Sequence, residues 1–280
     1  MYYDLHTHTV CSDGRLTPEA LVEAAAAAGV RVLAVTDHDT VEGVAAARAS
    51  AVRHAVRVVA GVEISASWEG HAVHVVGLDL RIDDDGLTEG LDRLRAIRRA
   101  RGAAIADRLA GLGMPGAHGL FEQCAVIGRG HFAQWLSAGG HARSPGQAFR
   151  LFLQRGRPAY VGVEWPALAE VVAWLRKAGG CVVLAHPTRY TLSGGRLRQL
   201  IQAFVQAGGD ALEVVSAGLD AGEMGRLARL AGQFGLRASV GSDFHDALPW
   251  RKTPGGLADL PAGCVAVWSG RPAMQWTEKV

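Results

Sequence analysis

Apolar and polar positions along the chain follow two periods. Short apolar runs at 2–5, 31–36, 57–64, 72–80, 181–185, 211–215 and 237–241 predict strands. Between most of them, apolar residues recur every three or four positions. This predicts helices at 18–28, 41–54, 166–178, 195–207 and 220–234. Thr17-Pro18 marks one helix start, with a capping hydroxyl followed by proline at the first helical position. Strands alternating with helices predict parallel βαβ units. About seven such strands suit a closed or distorted (β/α) barrel in an α/β chain.

Residues 84–158 break this rhythm. The segments 86–112, 120–125, 131–138 and 145–154 all read as helical. The expected organisation is a barrel built from 1–84 and 158–280, with a helical substrate-binding subdomain inserted at 85–157. The tail after Pro254 is rich in glycine and proline and predicts no element.

Composition narrows the class. Hydrophobic residues make up 49% of the 280 positions, yet the run at 21–35 is broken by Glu23, Gly29 and Arg31. No stretch reaches the ~20 apolar residues a bilayer span needs. No basic and then apolar leader follows Met1. Cys11, Cys124, Cys181 and Cys264 have no CxxC spacing and read as ordinary thiols, so a cytoplasmic location is expected. The net charge of +2 gives no global nucleic-acid signature, and nothing calls for a membrane or an obligatory protein partner.

The polar residues then change the picture. In Asp4-Leu5-His6-Thr7-His8 the two histidines are two positions apart, so an extended backbone points both to one side. An isolated pair of this kind is an ordinary buried or surface pair, and so is a lone His74 in an apolar strand. Here, however, metal-competent residues gather at many strand ends. They are His6, His8, Asp13, His38, Glu63, His74, His186, Asp243 and His245. In a parallel barrel the carboxyl ends of all strands open on one face. Nine donors exceed the four of a closed zinc site and suit two or three divalent ions with open positions. Glu63 is the natural bridge, because a carboxylate has two oxygens. With three ions, Asp13, Glu63 and Asp243 offset only half the charge, which suits a phosphate dianion with a hydroxide.

These segments resemble the motifs of the PHP (polymerase and histidinol phosphatase) family of phosphoesterases. They are Asp4-Leu5-His6-Thr7-His8, Ser12-Asp13-Gly14, Thr36-Asp37-His38-Asp39-Thr40, Gly61-Val62-Glu63-Ile64-Ser65, Ala185-His186-Pro187 and Gly241-Ser242-Asp243-Phe244-His245. The likeness runs over about 1–84 and 158–246. It implies a distorted seven-stranded barrel and a trinuclear site. By motif, one ion takes His6, His8, Glu63 and Asp243, a second Asp13, His38 and His245, and a third Glu63, His74 and His186. Mixed imidazole and carboxylate donors suit manganese first, with iron, zinc and magnesium as alternatives.

Within the insert, Gly128-Arg129-Gly130-His131 is similar to the Gly-Arg-Pro-His motif of the family's 3′,5′-nucleoside bisphosphatases, with Gly130 in place of proline. The resemblance implies removal of the 3′-phosphate to leave a 5′-monophosphate, by attack of a hydroxide shared between two ions. It makes Arg129 and His131 candidate catalytic and substrate-binding residues. Independently, Arg98 and Arg101 fall on the apolar stripe of the 86–112 helix, where a charge needs a partner. A substrate phosphate or an internal salt bridge would each serve. The partner expected overall is a small nucleotide, with short RNA as the alternative. Other readings are histidinol-phosphate phosphatase, amidohydrolase-like C–N hydrolysis, and a non-catalytic module of the kind found in polymerases. No expected ligand is missing, which disfavours the last.

Overall fold

Seven strands lie side by side in sequence order. They are β1 (Tyr3–Asp4), β2 (Val32–Val35), β3 (Arg57–Trp68), β4 (His71–Leu78), β5 (Cys181–Leu184), β6 (Ala211–Ser216) and β7 (Arg237–Gly241). The computed structural model describes residues 2–247 and 253–274, so the end of the barrel range, 275–280, lies outside the described residues. At the seam, Leu5 N–H donates to Val240 C=O at 3.1 Å and His8 N–H to Phe244 C=O at 2.9 Å. The sheet thus curls into the nearly closed, seven-stranded barrel that the periodicity predicts. Around it run α1 (Pro18–Ala27), α2 (Gly43–Ala51), the long α3 (Asp85–Gly111), α4 (Arg129–Ala138), α5 (Pro145–Ala148), α6 (Leu168–Lys177), α7 (Gly194–Gln206) and α8 (Ala221–Gln233). No helix among the described residues is long and apolar enough to cross a membrane.

One strand departs from the parallel expectation. β4 runs antiparallel to both β3 and β5. A parallel pair needs a crossover of about a dozen residues or more, and the link between β3 and β4 is far shorter. Glu69 and Gly70 make it, with φ of 44° and 77°, the turn geometry that joins antiparallel strands. β3 also continues past Glu63 to Trp68. Glu63 and His74 are therefore not at carboxyl strand ends. His74 reaches the same barrel mouth from the first half of a reversed strand.

Alternation along the strands builds the interior. Val32 and Ala34, Val59, Val76 and Leu78, Cys181 and Val183, and Ala211 pack in one inner core. Leu33 and Val35 face α1 and α2 instead. Following the inward phase two residues at a time leads from Val59 to Glu63, from Val76 back to His74, and from Ala211 to Glu213. The apolar floor thus gives way to ionisable side chains at the mouth. The tail after Pro254 closes the opposite end: Val267 and Met274 join the inner core, and Trp268 stacks on Tyr3 at 3.9 Å.

The insert has a core of its own. Leu87, Leu91 and Leu94 of α3 belong to the barrel's outer core. Ile105, Ala106 and Leu109, three to four turns further on, pack with Phe132, Leu136, Ala148 and Leu153. A single helix thus serves two cores. Segment 120–125, expected as an α-helix, is instead preceded and partly replaced by a 3₁₀ turn at Ala117–Glu122. The 145–154 helix splits into α5 and a π-turn at Phe149–Leu153. Phe132 is fully buried, so Phe132→Ala should destabilise the insert by about 3–5 kcal/mol. Urea unfolding would then show an early insert transition ahead of the barrel. A single transition at the wild-type midpoint would contradict this.

Candidate metal centre and substrate cleft

The polar side chains converge at the barrel mouth because local contacts leave little alternative. Asp37, just past β2, accepts hydrogen bonds from Thr9 N–H (2.7 Å), Thr9 Oγ1 (2.7 Å) and Ser12 Oγ (2.6 Å). This fastens the loop carrying Asp13 onto the barrel. Gly14 and Gly241 permit close approach: a side chain at either would overlap the His8 main chain or the His6 Cβ, respectively. Asp39, His186 and Asp243 adopt positive φ (52°, 28° and 51°). Such backbone is costly for non-glycine residues and concentrates at functional sites.

The nine expected donors come together. His6, His8, Glu63 and Asp243 form one buried group whose ligand atoms lie within 4.8 Å of one another. His8, Asp13, His38 and His245 form a second, with His8 added to the motif's set. Glu63 and His74 form a third with His38, and His186 joins it, its Nε2 2.8 Å from Glu63 Oε1 and 3.3 Å from His74. Glu63 is central: Oε1 faces His74 and His186, and Oε2 lies 3.3 Å from both His6 and His8.

Electrostatics and hydrogen bonding both fit a cation site. Burial opposes the charge on Asp13, Glu63 and Asp243, yet the surrounding imidazoles hold all three well below the usual carboxylate range. Burial and the nearby His245 push His8 down to about 3. Burial works against protonation of His245 too, but Asp13 and Asp243 carry it up to about 10. Among the described residues, buried polar atoms lacking a well-directed hydrogen bond fall almost wholly within this cluster, including His6 Nε2, His8 Nε2, Asp13 Oδ1 and Glu63 Oε2. Buried polar groups are normally satisfied. Lone pairs converging without partners are what divalent ions complete.

A cleft of about 690 Å³ opens from this cluster. Asp13, His38 and His74 line it, and so do Arg98, Arg101, Arg129 and Arg155, with Phe149, Tyr160 and Trp165 as apolar walls. Arg98 is buried and already paired, its Nε 2.5 Å from Asp39 Oδ2 and Nη2 3.0 Å from Ser65 Oγ. This is the internal salt bridge among the two alternatives that the helix stripe leaves open. Arg101 donates to Val161 C=O at 3.0 Å, and Arg129 lies over the Phe149 ring at 4.9 Å. Burial, with Arg129 and Arg98 nearby, lowers Arg101 to about 10. Burial lowers Arg129 as well. His131 has both ring nitrogens engaged: Nδ1 accepts from Gly128 N–H at 3.0 Å, and Nε2 donates to Ser12 C=O at 2.8 Å. It therefore ties the start of α4 to the Asp13 loop, and offers no free ring nitrogen in this arrangement. Gly130 lies against Asp13, where a Cβ would come 3.1 Å from Oδ2.

Several supporting residues escape a reading of strand ends. Glu213, in mid-strand, lies 2.7 Å from His6 Nδ1. Arg189 donates to Asp243 Oδ2. A carboxylate inside the apolar run Ala211–Ser216 was the available signal for the first. Nothing in the sequence marks Arg189, Arg155 or Tyr160.

Comparison with known proteins agrees with this geometry. The PHP domain model matches residues 4–109. The chain is 42% identical to the 5′-3′ exoribonuclease Rnm of Escherichia coli, covering 95% of this chain and 92% of that one. It is 38% identical to a 3′,5′-nucleoside bisphosphate phosphatase of Chromobacterium violaceum, over 95% of this chain and 94% of the relative. A solved structure of an amidohydrolase from Chromobacterium violaceum, with bound sulfate and no metal, superposes with a TM-score of 0.90 at 38% identity, covering 96% of this chain and 95% of that one. Barrel and cluster together define a metal-dependent phosphoesterase. The chain belongs to the PHP family.

Proposed function

We propose that this phosphoesterase removes the 3′-phosphate of nucleoside 3′,5′-bisphosphates and releases the 5′-monophosphate. The observation that carries this reading is the shared cleft, in which metal-competent Asp13, His38 and His74 and the arginines Arg101, Arg129 and Arg155 line one space. Two or three divalent ions, manganese foremost, would be held by His6, His8, Glu63 and Asp243, by Asp13, His38 and His245, and by Glu63, His74 and His186. When bound, such ions activate water and neutralise charge on the phosphoryl oxygens. The residues of the chain supply the rest. Arg101 and Arg129 hold the 5′-phosphate, because guanidinium groups bind phosphate in a bidentate fork. Phe149, Tyr160 and Trp165 cover the nucleoside. Anchoring one phosphate remotely positions the other for in-line attack. His131 acts by fixing the insert onto the Asp13 loop rather than by giving up a proton. Residues 85–157 serve as the substrate-binding subdomain.

Similarity to the Escherichia coli exoribonuclease favours a second reading on short RNA. The two share a logic: a held 5′-phosphate puts the ester on the 3′ side at the reacting end, whether its other substituent is a proton or the next nucleotide. The deciding test is phosphate release with Mn²⁺ from adenosine 3′,5′-bisphosphate, 3′-AMP, 5′-AMP and histidinol phosphate, with nucleotide release from short 5′-phosphorylated RNA alongside. Preference for the bisphosphate, with 5′-AMP accumulating, is expected. Faster turnover of RNA or of histidinol phosphate would displace the bisphosphate as principal substrate.

A further inference from the structure

We propose that Glu213 is a positioning residue of the metal centre, acting through His6. The inference rests on reading the cluster as a metal centre, and concerns what orients one of its imidazoles.

His6 has two ring nitrogens and only one can face the cluster as a donor. Its Nδ1 lies 2.7 Å from Glu213 Oε2, and both side chains are buried. A carboxylate accepts, so Nδ1 carries the proton and donates it to Glu213. In the neutral ring, the form that can ligate, the lone pair is then on Nε2. That atom makes no well-directed hydrogen bond and faces Glu63 Oε2 at 3.3 Å and Asp243 Oδ1 at 3.5 Å. In the other tautomer an N–H would point at the cluster and no lone pair would be available. Glu213 therefore selects the metal-competent form of His6 and holds its ring.

The pair is itself held from two sides. Ser216, three residues on in β6, donates its hydroxyl to Glu213 Oε1. Gly241 leaves room on β7: a Cβ there would overlap His6 Cβ and come 3.3 Å from Glu213 Oε2. His8, the other imidazole of the fully buried group, has no such partner at its Nδ1 among the described residues. Outer carboxylates of this kind fix ring orientation and raise ligand basicity, and their loss typically costs metal affinity about 10–100-fold.

The test uses the full chain stripped of metal by chelation and titrated with Mn²⁺, with the free-ion EPR signal as readout. Glu213→Ala should weaken Mn²⁺ binding by about 10–100-fold. Glu213→Gln should recover much of this, because its amide oxygen can still accept from Nδ1–H. A downfield imidazole N–H proton from His6 should be visible by NMR in wild type and in Glu213→Gln, and be lost in Glu213→Ala. A purely structural role would not move that signal or be rescued by the amide. Ser216→Ala, which frees Oε1, should weaken binding in the same direction, and it decides the question if Glu213→Ala does not fold. Mn²⁺ binding within twofold of wild type in folded Glu213→Ala, or in Ser216→Ala where Glu213→Ala is unfolded, would overturn the proposal. Absence of Mn²⁺ uptake by wild type would be a different result, removing the metal-centre reading and this inference with it.

Discussion

Glu63→Gln is expected to abolish hydrolysis, by roughly 10³-fold or more, on the scale seen when one member of an interdependent catalytic set is removed. Gln matches Glu in shape, so packing is retained. What changes is charge and hydrogen-bond polarity. Glu63 is fully buried, and its oxygens face His74 at 2.9 Å, His186 at 2.8 Å and His38 at 2.9 Å. An amide would aim N–H groups at nitrogens whose lone pairs are needed, and would remove the charge shared by the donor groups. Metal content by mass spectrometry and phosphate release, measured on the same sample, provide the check. Wild-type metal content together with wild-type turnover in Glu63→Gln would refute the central role given to this residue.

Arg101→Ala and Arg129→Ala should each lower kcat/KM for the bisphosphate by about 10–150-fold, equivalent to losing one charged hydrogen-bond contact of roughly 1.5–3 kcal/mol. The same variants should leave 3′-AMP turnover nearly unchanged, because that substrate lacks the 5′-phosphate. Neither guanidinium forms an ion pair among the described residues; Arg101 donates to Val161 C=O and lies over the Trp165 ring, and Arg129 donates to Leu153 C=O and lies over the Phe149 ring. Phosphate would complete them. Equal losses on both substrates would instead assign the arginines to holding the insert together. Arg98 differs, since Asp39 already neutralises it; removing it leaves a buried carboxylate unpaired and damages the site regardless of substrate.

Most of the barrel was legible because strands and helices differ in period, and each ran long enough to show it. The donors were legible because ionisable residues in apolar strands are expensive unless paired or ligating. Direction was not. An alternating strand reads the same in either sense, and β4 was reversed by a two-residue turn whose Glu69-Gly70 signal is modest. The absence of any helical pattern between β3 and β4 was the stronger clue. Glu213 sits in phase with Ala211 on the inward face, but a search confined to strand ends passes over it. Arg98 on the apolar stripe was visible as a buried charge. Its partner, Asp39, lies 59 positions away in sequence, and only the fold brings them together.

The reversed strand has a consequence for the length of α3. β4 delivers the chain at the barrel end away from the mouth, and α3 must carry it back. Its 27 residues amount to a rod of ~40 Å. Leucines in its first half grip the barrel, while Arg98 and Arg101 reach the cleft further along. The helix is in effect a ruler, setting both the height and the bearing of the arginines above the metal-competent side chains. Removing a single residue between Leu94 and Arg98 would turn everything beyond by ~100° and lower it by ~1.5 Å. The distance from the arginines to the donor cluster is thus encoded in a count of residues as much as in their identities.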